Sequence, residues 1–418
     1  MGPLRGLAVG VLMALGAVAA MAEATKPDGG FALRDGDRVV FLGDSITAAQ
    51  TFGKIVENYT HLRFPGRRVR FYNAGKGGDT AAGGLARLEA DVLSRRPSVV
   101  IVTYGVNDIG WGLRADEEHK RRYLEGVRGI VERCRRRGVR VFICSAAPMA
   151  GDPFEAENGF LRRMCDEGMS LSRSLGGGAI DLQQTMREIQ KTIWRERGST
   201  EALRALHIED GVHLNETGQI AMAYAMLKGL GAPAEVSSAT LEWEPLRVAG
   251  ADGCRVGRLC RRGLTLTFTR KDNGLPVTLG LAGHLAGAHV PLADGLNRYM
   301  LTVRGLPAGR WEVLADGRTV GVWDARQFAD GVNLGMATPD PWEPGGPWDV
   351  QATLLARVTE ARSEIELARR AARSFEVPRA VIRDMEARSA ALEALLEQYQ
   401  RTLAQPRAYV FTIRLAAP

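Results

Sequence analysis

The sequence predicts an α/β protein whose first domain is a parallel sheet with helices on both faces. Short continuous apolar runs, such as residues 39–42, are typical of strands that are buried on both faces. Amphipathic segments lie between these runs, and the clearest carries five apolar residues from Tyr123 to Cys134 on one helical face. Strands and helices that alternate with short connections favour a three-layer α/β/α architecture.

Five parallel strands are predicted in this first domain, which we place at residues 36–231. After the strand at 39–42, the other four are residues 69–72, 99–104, 139–144 and 179–182. A last helix is predicted over about 217–230. Because the chain has 418 residues, it is too long for one ordinary domain, and a second unit is expected.

Near Pro233 the pattern changes from helical periods to an alternation of apolar and polar residues. Residues 233–335, together with a final strand at 409–415, are therefore predicted to form a small antiparallel β unit, without helices between 260 and 325. Its clearest strands are residues 264–269, 299–303, 310–314 and 319–323.

Residues 348–404 follow a linker rich in Pro and Gly and are predicted to form a helical hairpin, with Pro378 between its two helices. The apolar stripes of these helices must be covered, because exposed stripes would form an aggregation-prone patch. Both ends of the hairpin lead back to the β unit, so we expect it to dock within the same chain and the protein to be a monomer. Whether it also acts as a lid over a site is open.

The N-terminal residues predict an exported protein. Arg5 precedes a short apolar run at 7–20, and Ala20-Met21-Ala22 supplies the small residues of a cleavage site. Residues 1–22 are therefore predicted to be a cleavable signal peptide, which gives a secreted or periplasmic protein. Since the apolar run is shorter than the roughly 20 residues of a spanning helix, no stable membrane insertion is expected.

The formal net charge of +7 suggests a nucleic-acid partner, but the composition disfavours one. Of 55 basic residues only seven are Lys, and the basic residues are spread among acids. This bias is typical of a GC-rich genome, so no nucleic acid is expected to bind. Cys254 and Cys260 are close enough in sequence to pair, which the sequence leaves open. The six His do not cluster, and no metal or cofactor is expected.

Four polar patches follow strands or lie in loops of the first domain, where open α/β sheets bind their ligands. They are residues 43–47, 73–80, 104–108 and 210–213. A Ser hydroxyl becomes a nucleophile when a base takes its proton, and His is the base suited to neutral pH. The candidate nucleophile is Ser45, and the candidate base is His213. Asp210, three residues before His213, is the candidate acceptor that orients the imidazole.

In order and spacing these four patches resemble those of the SGNH (GDSL-type) hydrolase family, over roughly residues 36–231. The resemblance implies a flavodoxin-like strand order and ester hydrolysis without a metal or cofactor. It also implies an oxyanion hole made by the backbone N–H groups of Ser45 and Gly78 and the side-chain amide of Asn107. Such donors stabilise the negative charge that forms when an ester carbonyl is attacked.

Each of these residues has a plainer interpretation when it is taken alone. Ser45 fits a helix N-cap, Gly78 and Asn107 fit turns, and His213 fits a loop histidine with satisfied hydrogen bonds. His207 is an alternative base, although no acid precedes it at a comparable spacing. The joint occurrence of the patches at strand ends favours catalysis. The neighbouring acids are expected to be helix caps and hydrogen-bond acceptors: Asp44, Asp79 and Asp108.

The expected function is that of a secreted serine hydrolase that removes short acyl or O-acetyl groups from a small-molecule or glycan ester. The alternatives are acyl transfer by the same triad, hydrolysis of lysophospholipid-like esters, and a catalytically inactive binding protein. Trp111, just after Asn107, fits either a surface that stacks on a sugar or a plug of the core. The β unit fits either a carbohydrate-binding or a stabilising role.

Overall fold

The computed structural model describes residues 30–199, 205–374 and 377–417. The predicted signal peptide, 1–22, lies outside the described residues. Within these ranges, no helix is both long enough and apolar enough to cross a membrane. The described chain comprises a three-layer first domain, two further sheets and a helical hairpin.

The first domain is built on a five-stranded sheet in the order β2-β1-β3-β4-β5. All four strand pairs are parallel, which confirms the predicted fold class and the flavodoxin-like order. The strands are β1 (Arg38–Gly43), β2 (Arg70–Gly75), β3 (Val99–Thr103), β4 (Arg140–Cys144) and β5 (Gly178–Ile180).

Helices cover both faces of this sheet. The α-helices described in this domain are α1 (Ser45–Ala48), α2 (Thr51–Arg63), α3 (Ala81–Arg87), α4 (Glu117–Arg136), α5 (Phe160–Ser174), α6 (Leu182–Arg197) and α7 (Glu216–Gly229). Shorter helical turns lie at Leu88–Val92, Leu93–Arg95, Gly110–Gly112 and Glu155–Asn158.

Alternate residues of β1 enter two different cores. Val39 and Phe41 pack in the core on one face of the sheet, which continues into the β unit. Val40 and Leu42 pack in the core on the other face. Because successive side chains of a strand point to opposite faces, a strand with two buried faces needs a continuous apolar run.

Beyond residue 231 the β unit consists of two sheets, with orders β13-β10-β6-β7 and β12-β11-β14-β9-β8. The strands are β6 (Glu235–Glu242), β7 (Arg247–Asp252), β8 (Cys254–Arg262), β9 (Thr265–Asp272), β10 (Arg298–Arg304), β11 (Arg310–Ala315), β12 (Arg318–Asp324), β13 (Val332–Asn333) and β14 (Ala408–Leu415). The strand predicted after the hairpin, β14, lies between β11 and β9.

Most strand pairs of the β unit are antiparallel, as predicted, but two details of the prediction were wrong. Strands β6 and β10 pair in parallel, which the long connection between them makes geometrically accessible. Two helices also lie between 260 and 325, where none was expected. They are α8 (Gly280–Ala286) and α9 (Leu292–Leu296), and α10 (Ala325–Asp330) follows β12. Glycines in both helices weaken their helical signal in the sequence.

A buried guanidinium joins the two sheets of the β unit. Arg270 on β9 donates from Nε to Asp272 Oδ1 at 2.9 Å and from Nη2 to Ser237 Oγ of β6 at 2.8 Å. Tyr299 of β10 donates from its hydroxyl to Asp272 Oδ2 at 2.7 Å. Both charged side chains are fully buried. Burial of a charge is tolerated when it is paired and hydrogen-bonded, as both are here.

The helical hairpin packs on α2 of the first domain. Thr359 Oγ1 donates to Asn58 Oδ1 at 2.6 Å, and Gln400 Nε2 donates to Glu57 Oε1 at 2.8 Å. Arg362 forms a largely buried ion pair with the same Glu57. The hairpin therefore docks within its own chain, while the monomeric state stays a prediction. Its helices are α11 (Pro347–Ser374) and α12 (Arg379–Ala404).

The hairpin also reaches the edge strand of the parallel sheet, where Arg70 of β2 pairs with Glu397 at 3.1 Å. The expectation that its apolar stripes are covered was wrong for part of α12, since Leu392 is 45% and Tyr399 is 59% exposed. The polar contacts with α2 lie on a different face of the hairpin, so they hold the hairpin in place without covering this part of the stripe.

Loss of the Asp272 carboxylate is expected to destabilise the β unit. The substitution Asp272→Ala leaves the Arg270 charge buried without its partner, which costs about 3–5 kcal/mol of unfolding free energy. Urea-induced unfolding followed by tryptophan fluorescence measures this loss. The exposed Asp252 of β7 provides the matched control, and Asp252→Ala is expected to change stability by less than about 0.5 kcal/mol. Equal losses in the two variants would contradict a structural role for the buried pair.

Candidate active site

Ser45 stands where β1 ends and α1 begins. The Asp44 carboxylate caps this helix by accepting the Ile46 N–H at 3.0 Å. A Cβ on Gly43 would lie only 2.8 Å from the Thr103 carbonyl oxygen and 2.2 Å from Thr47 Oγ1, so the turn requires glycine. The sequence Gly-Asp-Ser thus folds the chain sharply back and places the serine at the carboxyl end of a central strand.

The serine meets the predicted base and acid. His213 Nε2 lies 2.8 Å from Ser45 Oγ, and His213 Nδ1 lies 2.5 Å from Asp210 Oδ2. With the imidazole proton on Nδ1, Nε2 is free to accept the serine proton. The three side chains therefore form one continuous hydrogen-bonded series.

The turn that carries the acid and base holds the carboxylate in place. Asp210 Oδ1 accepts the backbone N–H groups of Val212 at 2.9 Å and His213 at 2.8 Å. Desolvation on its own would raise the pKa of Asp210, but these hydrogen bonds and that of the His213 side chain lower it to about 2. The carboxylate is accordingly ionised at neutral pH and can stabilise an imidazolium.

The alternative base, His207, is placed elsewhere. Its ring is buried, its Nε2 lies 2.7 Å from the Pro148 carbonyl oxygen, and its backbone forms a bridge with Leu214. Burial lowers the pKa of His207 and disfavours its charged form. These contacts are those of a structural histidine that supports the loop preceding α7.

Two of the oxyanion donors that the resemblance implies lie on neighbouring loops. Gly78 has a φ of +69° in the turn after β2, a conformation that favours glycine. Asn107 follows β3, and its Nδ2 donates to the Asp79 carbonyl oxygen at 3.1 Å. This bond joins the Asn107 amide to the loop that carries Gly78, so both donors are fixed relative to each other.

Trp111 has a role that neither sequence interpretation contained. Its indole Nε1 donates to Asn107 Oδ1 at 2.9 Å, and its ring meets the His213 ring edge-on, with centroids 5.7 Å apart. Because the indole donates to the oxygen end of the Asn107 amide, the donor end of that amide, Nδ2, points away from the indole. The Trp111 backbone has a φ of +58°, which a non-glycine residue adopts only when its surroundings impose it. No sequence period signals such a contact.

The three neighbouring acids are bonded to the loops of the site. Asp79 accepts the Tyr104 hydroxyl and the Arg87 Nε, each at 2.8 Å. Asp108 Oδ1 accepts the Ala81 N–H at 2.9 Å, at the start of α3. Burial raises the pKa of Asp108 to about 7, and burial likewise raises the pKa of Asp44 to about 6. They act as caps and acceptors, the role expected for them.

Within the described ranges, the side chains form neither a metal site nor a disulfide. No group of three or more His, Cys, Asp or Glu is arranged there to hold a metal ion. All five cysteines are free thiols, and the two that the sequence allowed to pair differ in burial, Cys254 being buried and Cys260 exposed.

Comparison with known proteins agrees with this arrangement. Residues 41–220 match the GDSL-like Lipase/Acylhydrolase family. A segment of 80 residues is 39% identical to Esterase TesA of Pseudomonas aeruginosa, which is 18% of this chain and 38% of that protein. The chain thus spans well under half the length of this curated relative.

Two solved structures are similar to this chain to different extents. BT4096, a gut microbial diltiazem-metabolizing enzyme, is 21% identical and superposes with a TM-score of 0.79 over 92% of this chain and 98% of its own. Axe2, an acetylxylan esterase from Geobacillus stearothermophilus, is 22% identical with a TM-score of 0.40 over 48% of this chain and 96% of its own. The first of these likenesses extends well beyond the first domain.

The order of the polar patches, the strand order and the family match agree over the same part of the chain. Over this part of the chain, the first domain is similar to the GDSL-like lipase/acylhydrolase family.

Proposed function

We propose that this protein is a serine hydrolase that cleaves carboxylic esters through an acyl-Ser45 intermediate. The observation that carries the proposal is the continuous series of hydrogen bonds from Ser45 through His213 to Asp210, at 2.8 and 2.5 Å. This geometry supplies a nucleophile, a base and an orienting carboxylate within one site.

In the first half of the reaction, His213 Nε2 takes the Ser45 proton while Ser45 Oγ attacks the ester carbonyl carbon. The imidazolium then gives this proton to the departing alcohol as the carbon–oxygen bond breaks, and the acyl group stays on the serine. In the second half, His213 takes a proton from water, and the resulting hydroxide attacks the acyl carbon. The serine regains its proton as the carboxylic acid leaves.

The tetrahedral intermediates carry a negative oxygen, which needs fixed donors. The backbone N–H groups of Ser45 and Gly78 and the Nδ2 of Asn107 fill this role in the proposed mechanism. Loss of one such donor costs about 3–4 kcal/mol of transition-state stabilisation in serine hydrolases. The Asn107 bonds to Asp79 and Trp111 hold its amide in position before substrate arrives.

For the substrate, we propose a short acyl or O-acetyl ester, on a small molecule or a glycan. The half-exposed Trp111 beside His213 supports an ester whose alcohol part lies against an aromatic surface. Export through the predicted signal peptide and a monomeric state complete the proposal.

The serine is expected to be essential for turnover but not for folding. With p-nitrophenyl acetate as substrate, Ser45→Ala should lose about 10⁴-fold to 10⁶-fold in kcat, because no other group can take its place. Its thermal melting should match that of the parent, and dialysis of the parent against a chelator should leave activity unchanged. The matched control is Ser94→Ala, at an exposed helical-turn serine. Full activity in Ser45→Ala would contradict the mechanism.

Trp111 is expected to be a positioning residue that acts through Asn107. The substitution Trp111→Phe keeps an aromatic ring and removes the N–H that fixes the amide, so kcat should fall about 2-fold to 12-fold, the worth of one hydrogen bond, at unchanged KM. Trp111→Ala should lower kcat further, since it also removes the ring contact with His213. Leu113→Ala, in the same loop and 92% exposed, is the control. A rise in KM alone in Trp111→Phe would indicate substrate binding instead.

The buried Asp108 is expected to make stability fall as pH rises. Its folded-state pKa of about 7 lies above the unfolded value of 3.8, so the folded protein holds a proton that the unfolded chain releases. The resulting loss of unfolding free energy is absent below about pH 4 and grows to a few kcal/mol by pH 7. In melting experiments, the stability of Asp108→Asn relative to the parent should therefore increase as the pH is raised from 4.5 to 8. A difference that is constant with pH would contradict the raised pKa.

A further inference from the structure

The β unit contains a cavity of about 260 Å³ that no part of the proposed reaction uses. It lies between helix α8, the segment 338–346 and the first turns of α11. Its walls combine apolar and polar side chains in similar numbers. The residues that matter for its chemistry are His284, Trp342, Glu343, Asp349 and Arg357.

This cavity is far from the serine. Arg63, at the C-terminal end of α2, donates to the carbonyl oxygens of Glu235 at 2.7 Å and Leu296 at 2.5 Å, which fixes the β unit at that end of the helix. Ser45 lies near the other end of α2, which spans about 20 Å. A ligand in the cavity would therefore bind apart from the reacting ester.

A buried carboxyl in the cavity wall has an unused oxygen. Asp349 is only 5% exposed, and its Oδ1 has no hydrogen-bond partner among the described residues. Burial raises the pKa of Asp349 to about 8, against the opposing effects of the Gly345 backbone N–H and of Arg318. At neutral pH this carboxyl is mostly protonated, so it can both donate and accept a hydrogen bond. An unpartnered buried polar group costs about 1–3 kcal/mol, which a ligand hydroxyl would relieve.

An aromatic side chain stands open at the same cavity. Trp342 lines it and is 79% exposed, although an indole is among the largest apolar groups a protein can bury. A flat apolar face beside polar groups suits a ligand that is apolar on its face and polar at its edge. Sugar rings have this character, with C–H groups on the face and hydroxyls around the edge.

The charges of the wall do not select an ion. Glu343 and Arg357 carry opposite charges, and the protonated Asp349 adds none at neutral pH. A phosphate would meet the Glu343 carboxylate, and an organic cation would meet the Arg357 guanidinium. A neutral ligand with several hydroxyls meets neither penalty.

We propose that this cavity binds one neutral sugar unit of a glycan, with Trp342 stacked on the ring and Asp349 bonded to a hydroxyl. In this proposal, the bound sugar unit is one at the chain end or on a side branch of a polysaccharide. Binding at this site is independent of the chemistry at Ser45, so either proposal can fail without the other.

The test uses the full chain with Ser45→Ala, so that no turnover alters the probe. Native gel electrophoresis is run in gels containing soluble xylan, glucomannan or arabinogalactan, and retardation gives a dissociation constant for each. At least one polysaccharide should retard the protein, and adding Trp342→Ala or Asp349→Leu, which keeps the size of the side chain and removes its hydrogen bonds, should each raise that constant at least tenfold. Tyr399→Ala, at an exposed aromatic outside the cavity, is the matched control and should change nothing.

Three results would overturn the proposal. The first is the absence of retardation by every polysaccharide of the panel. The second is retardation that persists in both Trp342→Ala and Asp349→Leu, which would place binding elsewhere on the chain. The third is displacement of the polysaccharide by tetramethylammonium, which would assign the cavity to an organic cation. Melting curves confirm that each variant is folded, and with Ser45 intact, Trp342→Ala should hydrolyse p-nitrophenyl acetate at the parental rate.

Discussion

The close packing of α1 on the carboxyl ends of β1 and β2 is the constraint on which the site depends. Both strands end in glycine there, and a Cβ on Gly75 would lie 2.2 Å from the Ala48 backbone nitrogen. Because helix α1 can pack directly against the sheet, Ser45 lies at the carboxyl edge of the sheet rather than above the sheet. His213 and Asn107 then arrive from other loops at the same edge, so three distant segments of sequence meet at one site. A larger residue at either glycine would displace the helix and with it Ser45.

Buried polar contacts, rather than apolar area alone, fix the units to one another. Arg63 bonds to backbone carbonyls of the β unit, and Glu57, two turns earlier on α2, bonds to Arg362 and Gln400 of the hairpin. Helix α2 therefore holds both appendages along its length, and it follows directly after α1, which begins at Ser45. Since such polar groups are costly when unpaired, each unit has one favourable docking position. This arrangement explains why part of the apolar stripe of α12 can stay open.

Patterns that are local in sequence predicted much of the fold and of the site. The buried strands of the first domain show as apolar runs, Ser45 shows as a polar residue at a strand end, and Asp210 and His213 show as polar residues in a loop before a predicted helix. In the β unit, strand β7 was missed because it is exposed along its whole length and carries no alternation. The parallel pairing of β6 with β10 was also missed, since register between distant strands leaves no local signal. Trp111 escaped prediction because its role rests on a left-handed backbone and on a partner four residues away.

If the acyl group passes through Ser45, an acyl-enzyme forms during turnover and can be trapped. The parent enzyme is mixed with p-nitrophenyl acetate, quenched in acid within milliseconds, digested and examined by mass spectrometry. The peptide containing Ser45 should gain the mass of one acetyl group, in an amount that approaches one per enzyme molecule when deacylation is slow. Turnover with the acetyl group on another residue, or with no acylated peptide at any quench time, would contradict it.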